Sequence, residues 1–258
     1  MTMAHLPVAL ITGGAGAIGL ATARRFARAG WLPVLLDRDG GRLERCKAAL
    51  DDEFDMQAGT IALELTAPDS PRAAMEQVDA AYGRLDCLVN NAGLSRGHRL
   101  GEVTLADWDA VLAINLTVPM LLCQESLRFW RRQRAGSIVN IASRVWVSGS
   151  GPAYTASKAG VVGLTRSLAV QLGPLGVTAN AVAPSYIDTA FNAPRDDAQR
   201  AERELQHLRL GVLARLCTPE DVAGAVCFLA SPDARFITAE VLHVAGGAQL
   251  AGRPPSGA

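Results

Sequence analysis

The sequence predicts one α/β domain built on a doubly wound parallel sheet of about seven strands, flanked by helices in three layers. Short apolar, β-branched runs alternate with segments of helical period along the whole chain. Most of these runs are continuously apolar, as in strands covered on both faces. With 258 residues, 49% of them hydrophobic, the chain is long and apolar enough for one large core.

The predicted elements follow one another in a β–α rhythm, which favours right-handed crossovers between parallel strands. The strands are Val8–Thr12, Leu32–Asp37, Thr60–Glu64, Cys87–Asn90, Ser137–Ala142, Thr178–Ala183 and Val241–Val244. The helices between them are Ile18–Ala29, Pro71–Tyr82, Leu105–Arg132, Tyr154–Leu172 and Glu220–Ala230. Thr218 and Pro219 before the last of these are typical of a helix start.

One segment, residues 185–216, breaks this rhythm. It is polar at its start and then has a helical pattern from Ala198 to about Leu210. A long insertion at the carboxyl edge of a parallel sheet predicts a substrate lid. Residues 1–251 are thus predicted to form a single dinucleotide-binding and catalytic domain, and residues 252–258 a flexible tail.

Composition excludes several classes of partner. Acidic and basic residues balance at 25 each, which argues against nucleic acid and anionic membranes as partners. Five cysteines without a Cys-x-x-Cys pair and four scattered histidines predict neither a disulfide framework nor a metal site. No signal-peptide pattern precedes the first strand, and the longest apolar stretch, residues 110–123, is too short to cross a bilayer. A soluble cytoplasmic protein is expected.

A glycine-rich turn follows the first strand and opens the first helix. It reads Thr12-Gly13-Gly14-Ala15-Gly16-Ala17-Ile18-Gly19. Glycine lets the backbone turn tightly and approach a pyrophosphate, whose charge suits a helix N-terminus. In this strand–turn–helix context the pattern predicts a dinucleotide site, and a tight turn without a ligand is the alternative.

Asp37 ends the second strand and sets the expected nucleotide. A carboxylate there accepts hydrogen bonds from the ribose hydroxyls of adenosine and repels a 2′-phosphate, which favours NAD over NADP. Arg38, the next residue, is able to bind a phosphate, so an NADP preference is the alternative. Asp37 as a cap on the following turn is the structural alternative.

The run Asn90-Asn91-Ala92-Gly93 ends the fourth strand. Its amides and glycine at a carboxyl edge suit two roles equally: lining the adenosine side of a cleft, or stabilising the sheet. Both roles stay open at the level of sequence.

Tyr154 and Lys158 are four residues apart on a predicted helix, so their side chains share a face. Only Lys47 and Lys158 among the 25 lysines and arginines are lysine, so a lysine at position 158 is notable. An ammonium beside a phenol favours the phenolate and is expected to lower the tyrosine pKa. The alternative is a chance pair on a surface helix.

Ser143 follows the fifth strand, where its hydroxyl can donate to negative charge developing on a substrate oxygen. Ser148 and Ser150 compete for this role, and a backbone cap is the structural alternative for Ser143. Asn115 lies in the middle helix, where an amide alone suggests a buried group that satisfies backbone.

Together these motifs resemble the single-domain branch of the short-chain dehydrogenase/reductase family, over essentially the whole chain. The resemblance implies a Rossmann-like fold in which Tyr154 is the general acid/base and Lys158 binds the nicotinamide ribose. It also implies that Ser143 binds the substrate oxygen and that Asn115 holds a water in a proton relay. Its further cofactor contacts are Glu64, Leu65, Pro184, Ile187 and Thr189. No metal is implied.

This chain departs from the family pattern in four places. The spacing from Ser143 to Tyr154 is short, and Glu64 replaces an aspartate beside the adenine. Ser185 stands where glycine usually follows Pro184, and Ala245 replaces a frequent acid. None of these changes removes a group with a catalytic role.

The substrate pocket is expected to be lined by Ser95, Arg96, Arg144, Trp146 and Tyr186. Aromatic walls suit a medium-sized, partly apolar secondary alcohol or its ketone. A carboxylate would fit if one arginine points inward; otherwise both arginines face solvent.

The sequence therefore predicts an NAD-dependent oxidoreductase for a secondary alcohol or ketone. The alternatives are a non-catalytic NAD-binding sensor or scaffold, an NADP-preferring ketone reductase of the 3-oxoacyl type, and an enzyme whose reaction ends in epimerisation or dehydration. The resemblance also implies a homotetramer built through the Leu105–Arg132 and Tyr154–Leu172 helices.

Overall fold

A computed structural model describes residues 6–97, 99–189, 191 and 196–250. Its seven strands form one parallel sheet in the order β3-β2-β1-β4-β5-β6-β7. They are β1 (Val8–Thr12), β2 (Leu32–Asp37), β3 (Gly59–Ala62), β4 (Cys87–Asn90), β5 (Gly136–Ile141), β6 (Val177–Pro184) and β7 (Val241–Val244). The predicted fold class is confirmed, as a single domain.

The helices lie on both faces of this sheet. They are α1 (Ala17–Arg28), α2 (Gly40–Phe54), α3 (Ser70–Tyr82), α4 (Leu105–Leu112), α5 (Val118–Gln133), α6 (Val145–Ser148), α7 (Pro152–Leu172), α8 (Asp197–Leu210) and α9 (Pro219–Ala230). Residues Ala113–Thr117 between α4 and α5 form a π-helical segment.

The strand order determines where on the sheet edge a ligand-binding crevice lies. The chain winds outward from β1 to β3 and then returns, so that β4 pairs with β1 on its other side. The reversal leaves a crevice beyond the carboxyl ends of β1 and β4, where open α/β sheets bind ligands.

Alternation along the central strands supplies one apolar core on each face of the sheet. Leu10 belongs to the cluster packed against α3 and α5, which includes the fully buried Trp130. Ile11, the next residue, belongs to the cluster packed against α1 and α9, which includes Phe26. Because successive strand residues face opposite sides, both faces need helices to cover them.

Several boundaries differ from the predicted ones. β3 begins one residue earlier and ends two residues earlier than expected, and the predicted helix Leu105–Arg132 is divided by the π segment. Helix α2 was not predicted at all. It buries only Leu43 and Leu50, so its sequence shows little apolar periodicity. Its N-cap is Asp39, whose side chain accepts a hydrogen bond from the Arg42 N–H.

The stretch Leu105–Gln133 is long and apolar enough to cross a membrane by length and composition alone. It is longer than the apolar stretch identified in the sequence because the helix continues through charged residues. It packs on the sheet through Leu122, Phe129 and Trp130, as a core helix does.

The predicted lid contains α8, which begins at Asp197, one residue before the expected start. Its N-cap Asp196 accepts a hydrogen bond from the Gln199 N–H. The predicted tail, 252–258, lies outside the described residues.

Candidate active site

The glycine turn has the geometry of a phosphate cradle. Gly13 has a φ of +62°, which favours glycine, and a Cβ on Gly19 would lie 2.3 Å from the Gly13 carbonyl oxygen. Helix α1 starts directly after Gly16 with no side-chain cap and no acid in its first turn. Its first N–H groups, those of Ala17 and Ile18 among them, are therefore available to an anion.

Asn91 holds this turn in place. Its amide Nδ2 donates to the carbonyl oxygens of Thr12 and Gly13 at 2.9 and 3.1 Å. The Thr12 hydroxyl in turn accepts hydrogen bonds from the N–H groups of Asn91 and Ala92, both at 2.9 Å. Of the two roles left open for the Asn90–Gly93 run, Asn91 has the stabilising one.

A cleft of about 320 Å³ opens beside the turn. The predicted cofactor residues that line it are Gly13, Asp37, Arg38, Glu64, Leu65, Ala92 and Gly93. Its apolar walls come from Leu36, Leu63 and Ile114 on three separate elements. The cleft thus combines an apolar slot for a ring with a carboxylate at its end, which fits an adenosine.

Asp37 lies at the rim of this cleft and helps to shape it. Its carboxylate accepts hydrogen bonds from the backbone N–H groups of Ala15 and Asp39, both at 3.3 Å. The neighbouring Arg38 is largely exposed and lies 3.8 Å from the Glu64 carboxylate. Arg42, on the unpredicted helix α2, donates to the Ala15 carbonyl oxygen at 2.9 Å.

The short loop after β5 brings Ser143 to Tyr154. The Ser143 hydroxyl lies beside the Tyr154 phenol and acts to lower the phenol pKa. The competing hydroxyls do not reach it: Ser148 and Ser150 are exposed, and the Ser148 Oγ accepts a hydrogen bond from Arg144 at 3.0 Å. The shortened spacing is accommodated by the single turn of α6.

Tyr154 and Lys158 share the buried face of α7, but the predicted effect on the phenol is wrong for this structure. Burial dominates and raises the pKa of Tyr154 to about 12, while burial lowers the pKa of Lys158 to about 8. The Lys158 ammonium donates to the Ile141 carbonyl oxygen at 2.7 Å and lies 5.6 Å from the centre of the tyrosine ring. Desolvation therefore outweighs the attraction that the sequence suggested.

Asn115 lies in the π segment and is almost fully buried. Its amide Nδ2 donates to the Leu94 carbonyl oxygen and to the Ser157 Oγ, both at 2.9 Å. Its Oδ1 accepts the Leu94 N–H at 2.8 Å. Both donors are used within the protein, so Asn115 ties the loop after β4 to α7, next to Lys158.

The far side of the site is formed by the predicted lid. The Phe191 ring lies 6.3 Å from the Tyr154 ring, and the Tyr186 ring stacks on His207 of α8 at 4.4 Å. Trp146 donates from its Nε1 to the Nε2 of His243 at 3.1 Å, which fixes α6 against β7.

The remaining predicted residues are distributed around this edge. Pro184 and Ile187 are buried at the end of β6, and Thr189 is partly buried two residues later. Ser95 and Arg96 are exposed after β4, where Arg96 lies 3.5 Å from the Asp107 carboxylate.

Known proteins resemble this chain over nearly its full length. A family model described as enoyl-(acyl carrier protein) reductase matches residues 13–249. A (2S)-[(R)-hydroxy(phenyl)methyl]succinyl-CoA dehydrogenase subunit from Thauera aromatica is 40% identical, with 94% of this chain and 96% of that protein covered.

The 3-oxoacyl-[acyl-carrier-protein] reductase of Aquifex aeolicus is 37% identical, with 93% of this chain and 96% of that protein covered. The crystal structure of a levodione reductase superposes with a TM-score of 0.89 at 32% identity, and covers 95% of this chain and 98% of that one. The chain belongs to the short-chain dehydrogenase/reductase family. The resemblance inferred from the motifs is confirmed.

Sequence reasoning missed some residues of this family site. His207 and Arg42 lie on α8 and α2, and only tertiary contact brings them to the lid and the glycine turn. The cleft walls Ala110 and Ala113 carry no chemical signal at all. Within the described residues, no group of three His, Cys, Asp or Glu side chains is arranged to hold a metal ion.

Proposed function

We propose that this protein is an NAD-dependent oxidoreductase that transfers a hydride between the nicotinamide and a secondary alcohol or ketone. The observation that carries the proposal is that Ser143 lies beside the partly buried Tyr154, one helical turn from the buried Lys158. A serine donor and a tunable phenol at the carboxyl edge of β5 suit proton transfer to a carbonyl oxygen.

Each of these residues has a defined part in the reaction. NAD, when bound, supplies or accepts the hydride. With its pKa raised to about 12, Tyr154 keeps its proton at neutral pH and can donate it to the carbonyl oxygen during ketone reduction. The Ser143 hydroxyl donates to the same oxygen as it gains negative charge. In alcohol oxidation the deprotonated Tyr154 would accept the proton of the alcohol, and the positive charges of Lys158 and of the bound nicotinamide would together stabilise its phenolate.

Each part of NAD would be held by the cleft residues whose chemistry matches it. The N–H groups at the start of α1 would bind the pyrophosphate, and Asp37 would accept from the ribose hydroxyls of adenosine. Two features favour NAD: the run Thr12–Gly19 contains no basic residue, and the Arg38 charge is shared with Glu64.

Replacement of Asp37 tests the nucleotide preference. In Asp37→Ala, kcat/KM for NAD should fall about 10-fold or more because a charge-assisted hydrogen bond is lost, while that for NADP should rise or stay constant. Steady-state kinetics with both nucleotides measures the ratio. Asp52→Ala, which removes an exposed acid on the neighbouring helix α2, is the matched control for charge. An unchanged ratio would assign the preference to another residue.

Names of the relatives narrow the substrate class. Two of them act, by name, on acyl chains joined to coenzyme A or to acyl carrier protein, and a third on a ketone. A 3-hydroxyacyl or 3-oxoacyl compound is therefore the proposed substrate class, and the residues 185–216 are proposed to close over it as a lid.

A substrate panel with a tyrosine variant tests the whole proposal. We expect reduced nicotinamide to appear by absorbance with at least one secondary alcohol of the panel. Tyr154→Phe should lower kcat about 100-fold or more, since general acid–base catalysis supplies that much, and should leave NADH binding by fluorescence nearly unchanged. Tyr82→Phe, a partly buried tyrosine on α3, is the control.

Three results would contradict the proposal. Residual activity of Tyr154→Phe within tenfold would remove the tyrosine from its acid/base role. NADH binding without turnover on any substrate would favour a sensor or scaffold. Product formed with no net change of nicotinamide would favour epimerisation or dehydration. The cytoplasmic location and the homotetramer stay predictions.

A further inference from the structure

Arg144 differs from the other partly buried arginines of the described chain. Those arginines are Arg24, Arg84, Arg128 and Arg144. The first three each pair with a carboxylate, Glu53 at 3.0 Å, Asp86 at 2.8 Å and Glu125 at 2.6 Å. Among the described residues, Arg144 has no acidic group within ion-pair distance, and its guanidinium donates only to the Ser148 hydroxyl at 3.0 Å.

The position of Arg144 is fixed by its backbone. Its N–H donates to the Pro184 carbonyl oxygen at 3.0 Å, which ties it between the ends of β5 and β6. It directly follows Ser143, which lies beside Tyr154, the residue proposed to transfer the proton. The backbone of Arg144 is therefore anchored one residue away from the proposed proton-transfer pair.

In the part of the chain that the structure describes, no neighbouring acid offsets the Arg144 charge. Burial lowers the pKa of Arg144, and the Arg144 charge acts with burial to lower the pKa of His207, which faces it from α8. Asp188 and Glu204 lie near Tyr186 instead, and Asp188 pairs with Arg200 at 3.5 Å. A partly desolvated cation without a partner is unfavourable unless a ligand supplies the opposite charge.

A second polar group under the lid also lacks a partner. The hydroxyl of Tyr186 is buried and makes no hydrogen bond within the described chain. Tyr186 stacks on His207, and both line a cavity of about 300 Å³ beneath α8. A buried hydroxyl of this kind is costly unless a ligand satisfies it.

We propose that Arg144 is the receptor for a carboxylate carried by the substrate itself, close to the reacting carbinol carbon. The planar guanidinium binds a carboxylate through two parallel hydrogen bonds, which orients the substrate as well as holding it. The substrate is then a hydroxy acid or oxo acid with its free carboxylate a few bonds from the hydroxyl or ketone. This inference rests on the proposed hydride transfer and narrows its substrate class.

A matched pair of substrates tests it. The probe is 3-hydroxybutyrate against its methyl ester with NAD, since both share one reacting carbon and differ in charge. The acid should have the higher kcat/KM in the unaltered enzyme. In Arg144→Met the acid-to-ester ratio of kcat/KM should fall about 10-fold or more, mostly through KM, because a hydrogen bond to a charged group is lost.

Further variants keep the result decisive. Arg144→Lys keeps the charge without the planar guanidinium. Its acid-to-ester ratio of kcat/KM should lie between those of the unaltered enzyme and Arg144→Met. Arg166→Met on the exposed face of α7 is the control and should leave the ratio unchanged. An equal loss on acid and ester, or a lower ratio in Arg96→Met instead, would overturn the proposal. So would a loss confined to 3-hydroxybutyryl-CoA, which would indicate a phosphate contact.

Binding separates this inference from the proposed function. The hydride-transfer proposal fails only if no alcohol of the panel is turned over. If these two compounds alone are inactive, calorimetry of 3-hydroxybutyrate with the NADH complex still decides on Arg144. Binding weaker by about 10-fold in Arg144→Met would support the carboxylate receptor. Equal binding in both proteins would exclude it.

Discussion

At the scale of single residues, burial governs the site more than pairing does. The sequence placed Tyr154 and Lys158 on one helix face, which suggested a phenolate stabilised by an ammonium. In the structure both side chains are desolvated, and burial shifts the pKa of each in the direction that favours its neutral form. The ammonium is stabilised by one carbonyl oxygen, that of Ile141. The positive charge that lowers the phenol pKa must therefore come from the complete site.

The buried Lys158 should make stability depend on pH in a defined direction. Its folded pKa of about 8 lies below the ordinary lysine value of 10.5, so the unfolded chain binds more protons between these values. Stability therefore rises with pH through that window and is lost as pH falls toward 8. Relative to Lys158→Met, the free energy of unfolding should increase by about 2 kcal/mol from pH 7 to pH ~9.5.

Urea unfolding of both proteins at the two pH values measures this difference. Lys47→Met serves as the control, since it removes the other lysine, which pairs with Asp51 on α2. The difference in the free energy of unfolding between this variant and the unaltered protein should change little with pH. A difference that stays constant with pH would mean that Lys158 keeps its ordinary pKa in the folded protein.

At the scale of elements, the π segment Ala113–Thr117 explains a residue that sequence left undecided. The extra residue in the turn is marked by the bond from the Val118 N–H to the Ala113 carbonyl oxygen. Within this segment Asn115 meets the loop after β4 and helix α7 at once. Both side-chain donors of Asn115 are used within the protein, and the water-holding role implied by the resemblance stays a prediction.

Asn115→Ala should accordingly destabilise the protein by about 1–3 kcal/mol, since it leaves the buried Leu94 backbone groups and the Ser157 hydroxyl short of partners. Denaturant unfolding measures the change. A double-mutant cycle with Ser157→Ala should give a coupling of about 0.5 kcal/mol or more. As a control, Gln171→Ala on the exposed face of α7 should change the free energy of unfolding by no more than ~0.5 kcal/mol. An equally small change in Asn115→Ala would refute the tethering role.

At the scale of the whole molecule, the strand order decides where chemistry occurs. The return of the chain from β3 to β4 beside β1 opens the crevice in which Gly13, Asp37 and Gly93 meet. These residues are more than twenty positions apart in sequence. The same order places Ser143 and Pro184 at adjacent strand ends, so that the substrate side faces the lid.

The predicted fold was largely correct because continuous apolar strands and helical periods are local signals. β1, β2, β4 and β7 have the bounds that the sequence predicted. Helix α2 was missed because it buries two leucines only, and the division of the middle helix was missed because a π segment has no distinct pattern. Catalytic candidates were found from motifs, whereas His207 and Arg42 are defined by contacts across the chain.

The sequence by itself determined the fold class, the family and the candidates Ser143, Tyr154 and Lys158, because each depends on residue type and spacing along the chain. Tertiary structure alone decided the direction of the pKa shifts, the choice of Ser143 over Ser148, and the contrast between Arg96 and Arg144. Those properties depend on desolvation and on which groups from distant segments lie nearby. Neither quantity is encoded in spacing, so only the packed molecule reveals them.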